Sequence, residues 1–321
     1  MTILITGIAG YIGSHVALAF SDAGYEVVGI DNFTTGFKQL VPEKVEFYEG
    51  DFSDQNLLDT IFDQHDIDAI VHMAASTVVP ESVENPLKYY ENNTVKSHAL
   101  IDSAIRHHIP NFIFSSTAAV YGIPEDGLAK EDGLYQPINP YGWSKAMVER
   151  ILMDSSQAHA LNHINLRYFN VAGADPDGRA GQMSRNATHL IKVASEAACG
   201  KRDKVLIFGQ DYPTPDGTCI RDYIHVSDLA SAHVKAYEAM RKGVVNITVN
   251  CGYGHGYSVK EVLDAVQAQK DIAVESAPRR AGDPPSLIAD NARIKKLFDW
   301  TPQYDDLDII IRHAIDWEEG L

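Results

Sequence analysis

The stretch TILITGIAGYIG at residues 2–13 limits the fold of this chain more than any other. An uncharged, mostly apolar run leads directly into Gly7, Gly10 and Gly13, and a helical pattern follows over 11–23. A short apolar run bounded by glycine reads as a buried strand, and the periodic segment behind it reads as a helix. Glycines between the two permit a tight turn, let the backbone approach a pyrophosphate, and let the helix pack close to the strand. The free N–H groups and the dipole at the helix start favour an anion. The spacing is G-x-x-G-x-x-G, not the wider G-x-G-x-x-G. Its place between a first strand and a first helix still predicts a dinucleotide site.

The rest of the first half repeats the strand–helix alternation. Apolar runs at 26–30, 45–48, 68–73, 111–115 and 163–168 read as strands, with helix-length segments at 54–64, 82–108 and 140–160 between them. This pattern predicts an α/β fold with a doubly wound parallel sheet and right-handed crossovers. After about residue 170 the texture changes. Residues 173–183 and 209–218 are rich in Gly, Pro and Asp, as loops are. Residues 1–172 are therefore expected to form the dinucleotide domain, and 173–321 a smaller mixed α/β lobe. The strand-then-helix segment at about 221–243 is expected to return to the first domain. Further helices are expected near 258–268 and 304–318.

Composition narrows the function. With 321 residues, a sizeable core is possible; 45% of the residues are apolar and 22% charged, ordinary for a globular chain. A formal charge of −17 argues against a nucleic-acid surface, which needs a basic stripe. Cys199, Cys219 and Cys251 are odd in number and lack C-x-x-C spacing, which suits a reducing compartment rather than a disulfide framework or a zinc site. The N-terminus lacks a signal-peptide pattern, and no run approaches 18 apolar residues. The expectation is a cytoplasmic protein with no membrane, nucleic-acid or metal partner. The adjacent His107 and His108 read as surface residues at a helix end.

Three further features concern chemistry. Asp31 ends the second apolar run, 18 residues after Gly13. A carboxylate there accepts hydrogen bonds from a ribose and repels a 2′-phosphate, so NAD is expected rather than NADP; the alternative is a turn-starting Asp in DNF. Asp51, in EGDFSD, is placed for the adenine edge or for an N-cap. In YGWSK, Tyr141 and Lys145 are four apart at the start of a helix and share a face.

With these features in one chain, the sequence resembles the extended short-chain dehydrogenase/reductases. Within them it closely resembles the UDP-glucose (UDP-galactose) 4-epimerase family, over nearly the whole length. The most specific stretches are NFIFSSTAAVYG (111–122), NPYGWSKAMVE (139–149), LRYFNVAGADP (166–176), DYPTPDGTCIRDYIHVSDLA (211–230) and APRRAGDPP (277–285). The resemblance implies a Rossmann-type lobe holding NAD and a C-terminal lobe closing over a UDP-sugar. It also implies a homodimer paired through the helices near 82–108 and 140–160.

By matching motif positions, the resemblance implies catalytic roles for Tyr141, Lys145 and Thr117. It implies cofactor contacts from Gly7, Gly10, Tyr11, Ile12, Gly13, Asp31, Asn32, Asp51, Phe52, Met73, Ala74, Ala75, Asn92, Ser115, Tyr141, Lys145 and Tyr168. It implies substrate contacts from Thr117, Tyr141, Phe169, Asn170, His189, Leu190, Leu206, Phe208, Arg221, Tyr223, Arg280, Asp283 and Leu287. The chain departs from the family at Thr77, where many members carry a lysine near the NAD pyrophosphate, and at Lys192, where a proline often stands.

A tyrosine that acts as a base near neutrality must lose about three pKa units, roughly 4 kcal/mol. One cation at about 4 Å and an effective dielectric near 20 supplies about 4 kcal/mol. Lys145 is expected to be that cation, helped by the oxidised nicotinamide. The expected reaction interconverts UDP-glucose and UDP-galactose: oxidation at sugar C4, rotation of the keto sugar, and return of hydride to its other face. Dehydratases and UDP-glucuronate decarboxylases of this scaffold need carboxylates where Ala118 and Ala119 stand. A UDP-pentose or UDP-N-acetylhexosamine 4-epimerase remains an alternative. From a different class, so does a catalytically inactive NAD-binding protein.

Overall fold

Every residue of the TILIT run is buried, because its two faces look into two different cores. Ile3 and Ile5 point to one, with Val16 and Phe20; Leu4 points to the other, with Leu58, Leu100 and Leu152. A strand covered on both sides has no polar face, which is why it reads as an apolar run and not as an alternation. A computed structural model describes residues 1–184, 187–280 and 282–321. Seven strands form one sheet: β1 (Thr2–Thr6), β2 (Glu26–Asp31), β3 (Glu46–Glu49), β4 (Ile67–His72), β5 (Asn111–Thr117), β6 (Asn162–Tyr168) and β7 (Ile247–Cys251). Their order is β7-β6-β5-β4-β1-β2-β3, and every pairing is parallel. The order reverses between β1 and β4, where ligands of such sheets bind beyond the strand ends.

The helices follow in sequence: α1 (Tyr11–Asp22), α2 (Gln55–Gln64), α3 (Val79–Glu84), α4 (Pro86–Tyr89), α5 (Lys96–Arg106), α6 (Pro140–Ala158), α7 (Leu190–Ala198) and α8 (Val226–Arg241). The single helix expected over 82–108 is instead broken. Asn85, followed by Pro86, separates α3 from α4, and a π-helical turn at Tyr90–Val95 joins α4 to α5. Proline lacks the N–H that a continuous helix needs there. His107 caps α5 and meets Asp59 at 2.8 Å.

The segment after 220 gives a strand at Tyr223–His225 and then α8, which packs on α1. It continues into β7 on the sheet edge, a strand that was not foreseen. Its sequence, ITVNC, is buried only at its last three residues and shows a weaker apolar run. The C-terminal lobe adds α9 (Val259–Gln269), α10 (Ala292–Phe298) and α11 (Leu307–Glu319). Its mixed sheet runs Tyr257–Ser258, Ile220–Arg221, Ser286–Ala289, Leu128–Ala129, so a piece of the first half is built into it. No helix is long and apolar enough to cross a membrane among the described residues.

Candidate active site

A cleft of about 1410 Å³ opens at the β1/β4 reversal and runs to the C-terminal lobe. Its floor begins at the glycine loop. Gly7 has φ +71°, and a Cβ there would sit 2.6 Å from the Ala74 nitrogen; a Cβ on Gly13 would sit 2.1 Å from the Gly7 carbonyl. Side chains at these positions would collide with backbone, at Gly7 with the loop after β4 and at Gly13 with the glycine loop itself. Gly10 is the N-cap of α1, with no side chain over the helix start and no acidic residue in the first turn. These are the conditions under which backbone N–H groups meet a pyrophosphate. Tyr11, Ile12, Asn32, Phe52, Met73, Ala74, Ala75 and Asn92 also line the cleft.

Asp31 reaches the cleft from the end of β2 and accepts from Ala9 N at 3.0 Å and Phe33 N at 2.8 Å. It thus ties the turn as well as presenting a carboxylate. Asp51 differs from expectation. Its carboxylate does not line the cleft: Lys96 holds it at 2.5 Å, and it accepts from Ser53 Oγ at 2.6 Å and Asn32 Nδ2 at 3.3 Å. Nor is it an N-cap; Asp54 caps α2. Its neighbour Phe52 forms the wall instead.

The π-helical turn sets Asn92 in place. Asn93 beside it is buried, accepts from Ser76 N at 2.8 Å and donates to Ser144 Oγ at 3.0 Å. Ser144 donates to the Tyr141 carbonyl at 2.7 Å. So the π turn, the loop after β4 and the first turn of α6 are laced together. Sequence reasoning missed Asn93 and Ser144; the doubled asparagine in YYENN was the available signal.

α6 begins at Pro140, with Asn139 accepting from Gly142 N at 2.8 Å as its cap. Tyr141 and Thr117 both line the cleft, and the Thr117 hydroxyl accepts from Ala119 N at 3.1 Å. Lys145 lies one turn on but behind the cleft wall, 2% exposed. Its Nζ donates to the Ser115 carbonyl at 2.7 Å and stands 4.8 Å from the centre of the Phe114 ring. Burial pushes the Tyr141 phenol above its ordinary value, and Thr117 pulls it back only in part. Burial also pulls Lys145 down to about 7, against an upward pull from Glu149. The expected lowering of the phenol by Lys145 together with the oxidised nicotinamide is therefore not supplied by the chain's own groups. Both groups share one desolvated site, which disfavours both charges. Ser115 and Tyr168 also line the cleft here.

The far end of the cleft carries Phe169, Asn170, His189, Leu190, Arg221, Tyr223, Arg280, Asp283 and Leu287. Parallel pairing of Asn170–Ala172 with Tyr223–His225 places Asn170 beside Tyr223. Arg221 donates to the Pro284 carbonyl at 2.8 Å, and its guanidinium lies 3.6 Å from Asp283. His189 caps α7 and meets Gln182 at 3.0 Å. Leu206 and Phe208 do not line the cleft as expected. Leu206 is exposed, and Arg280 covers the Phe208 ring at 3.8 Å. Both are on one face of the strand Val205–Phe208, turned away from the core side that holds Val205 and Ile207. Lys192, the second departure, is buried in an ion pair with Glu318.

Comparison with known proteins gives one answer along the whole chain. A UDP-glucose 4-epimerase of Azospirillum brasilense is 51% identical over 321 residues, covering 99% of this chain and 92% of that one. The solved UDP-glucose 4-epimerase of Brucella ovis in complex with NAD has a TM-score of 0.96 at 42% identity, over 99% of this chain and 98% of that one. The solved UDP-Glc/GlcNAc 4-epimerase of Campylobacter jejuni is 49% identical with a TM-score of 0.87, over 100% and 99%. Residues 3–252 match the model of the NAD dependent epimerase/dehydratase family. A glycine loop packed too closely on its neighbouring backbone to admit a Cβ, a carboxylate at the end of β2, and these matches agree: the chain belongs to the NAD dependent epimerase/dehydratase family.

Proposed function

We propose that this protein interconverts UDP-glucose and UDP-galactose with NAD held in the cleft. The observation that carries the reading is the meeting, in one cleft, of the glycine cradle, the Thr117–Tyr141 pair, and the Arg221 and Arg280 end. The 51% identity to a UDP-glucose 4-epimerase supports the choice of sugar nucleotide.

The residues divide the work along the cleft. Gly7, Gly10 and Gly13 hold the pyrophosphate of NAD, and Asp31 holds its ribose. NAD, held there, would supply first hydride-acceptor and then hydride-donor chemistry, and a positive charge while oxidised. Tyr141, ionised and with Thr117 in the same cleft, takes the proton of the 4-hydroxyl and, once the sugar has turned and hydride returns to the other face of C4, gives it back to the 4-keto oxygen. Lys145 fixes the Ser115 carbonyl and favours the phenolate. Arg221 and Arg280 bind the diphosphate, whose oxygens suit guanidinium forks. The UDP is thereby anchored while the sugar stays free to turn. Hydride and proton are both removed and both returned, so the net change is inversion at C4. Purified protein mixed with UDP-galactose and no added oxidant is expected to reach an equilibrium with UDP-glucose; an unchanged sugar with NAD bound would leave an inactive binding protein.

Residues 1–172 with the returning segment serve NAD on this reading, and the C-terminal lobe serves the UDP-sugar. We place the protein in the cytoplasm, a setting that suits its three free cysteines. Two copies pair through α3, α4, the π-helical turn, α5 and α6, where Val83, Leu87, Val95, Trp143 and Met147 are exposed. Light scattering of the wild type and of Leu87→Asp tests the pairing: dimer mass for the first, monomer mass for the second.

A further inference from the structure

The buried stripe of α6 does not end at Lys145. Glu149 stands one turn further on with its side chain fully buried. A carboxylate out of water needs partners, and this one has four donors. They are Ser116 Oγ, Tyr135 Oη at 2.6 Å, and Arg167 through Nε at 3.0 Å and Nη2 at 2.7 Å. The last three residues of β5 therefore meet three successive turns of α6. Thr117 meets Tyr141, the Ser115 carbonyl meets Lys145, and Ser116 meets Glu149. Arg167, on β6, is gripped between the rings of Tyr121 and Tyr135, at 4.7 and 4.8 Å.

Stability does not explain such a pair. Replacing a buried ion pair by apolar groups of similar volume is often neutral or stabilising. Its place behind the site's lysine needs another reason. The other groups around Lys145 supply no compensating negative charge. His72 on β4 is buried and neutral, between Thr6 and Ser97 at 2.6 and 2.8 Å. Tyr168 on β6 is a buried phenol. On the α3–α4 side, Glu81 pairs with Lys88, and Tyr89 stands edge-on to Tyr141. On α5, Lys96 is paired with Asp51. Glu131, near Arg167, faces Arg293 at 3.8 Å.

We propose that Glu149 is a positioning residue for the reaction: anchored by Arg167, it fixes a negative charge one turn behind Lys145 and offsets part of what burial costs that ammonium, one turn along α6 from Tyr141. This rests on the roles given to Tyr141 and Lys145 above. The upward pull of Glu149 on Lys145, against burial, agrees with the geometry.

The test uses the NAD-loaded enzyme and compares wild type with Glu149→Gln, Arg167→Met and the double variant. Two readouts are taken: the pH dependence of kcat for UDP-galactose conversion, and the titration of Lys145 by NMR of 15N-lysine-labelled protein. Glu149→Gln is expected to move the alkaline limb and the Lys145 titration down by about one pH unit. The double variant leaves no buried charge unpaired and moves both in the same direction. Arg167→Met strips the buried carboxylate of its counter-charge, which favours its neutral form, so both are expected to move down as well. If wild type does not convert UDP-galactose, the activity reading fails, and the NMR titration still decides the role of Glu149. A Lys145 titration unmoved by Glu149→Gln and by the double variant overturns the proposal, even where kcat falls, because a merely structural role has that signature.

Discussion

The two ends of the sugar site are built in opposite ways. At one end, Thr117, Tyr141 and Lys145 come from two adjacent elements, β5 and α6, and Lys145 is locked on the Ser115 carbonyl. At the other, Asn170, His189, Arg221, Arg280 and Asp283 come from separate segments. There Arg280 is exposed, and Arg221 sits opposite Asp283 at a loose 3.6 Å. The base must hold one position through two proton transfers with the sugar in two orientations. The anchor must admit a nucleotide and close on it. The contrast predicts that changes at the first end alter turnover and changes at the second alter binding.

The largest effect is expected at the fixed end. Tyr141→Phe removes one hydroxyl and leaves the α6–β5 contacts in place. It should lower kcat by about 10²–10⁴, the usual worth of positioned acid–base catalysis, with KM and bound NAD nearly unchanged. Near-normal turnover would break the comparison at its root. Next comes the anchor. Arg221→Met loses a charge-assisted contact to the diphosphate, about 2 kcal/mol, so KM should rise roughly 30-fold while kcat changes little. A fall confined to kcat would show that Arg221 acts on chemistry and that the two ends are not separable.

The same contrast explains what could be read without a structure. The fixed end depends on short-range spacing: Tyr141 and Lys145 four apart, and β5 as the apolar start FIF running on into Ser115, Ser116 and Thr117. Six strands foreseen from apolar runs lie in the main sheet, and four of them, β1, β4, β5 and β6, are buried along most of their length on both faces. β7 escaped because its first residues are only partly buried. The loose end depends on long-range pairing. Nothing in the sequence says that Leu128–Ala129 joins Ser286–Ala289, or that Arg280 lies over Phe208. Asp51 illustrates a further limit. A carboxylate after a strand looks like a ligand group, yet Lys96, 45 residues away, holds it. Glu149 was visible as the next residue in the i, i+4 series from Tyr141. Its meaning required Arg167, which only the fold brings to it.

A third, smaller effect lies where the two ends meet. Leu287 pairs in register with Arg221 and lines the cleft. Leucine leaves moderate room there, so UDP-glucose and UDP-galactose should be preferred over the N-acetylated sugars. Steric discrimination in an apolar pocket is worth about 1–3 kcal/mol. Leu287→Ser should therefore raise the kcat/KM ratio for UDP-N-acetylglucosamine over UDP-glucose about tenfold, and Leu287→Tyr should lower it. Identical ratios in all three proteins would move the size gate elsewhere, and the solved UDP-Glc/GlcNAc 4-epimerase at 49% identity makes wild-type activity on both sugars the sharpest control.

The smallest effect concerns stability, and it asks what the fixed end costs. Burial holds the Lys145 pKa near 7 in the fold, against 10.5 for a free lysine. Between those values the unfolded chain binds more protons than the folded one, so stability rises with pH. The penalty is absent above about 10.5, grows as pH falls, and is complete below about 7. Lys145→Met removes the titrating group and keeps an unbranched side chain over Phe114. Wild type should therefore gain on the variant by about 2 °C in Tm per pH unit between pH 7 and 9, a modest slope because the chain is long. Measured by calorimetry at matched ionic strength, this slope tests burial without any substrate. A variant that tracks wild type in parallel across that window would mean that Lys145 stays fully charged in the fold. In that case the phenol of Tyr141 has a permanent cation one turn away, and the fixed end would work as the sequence alone suggested.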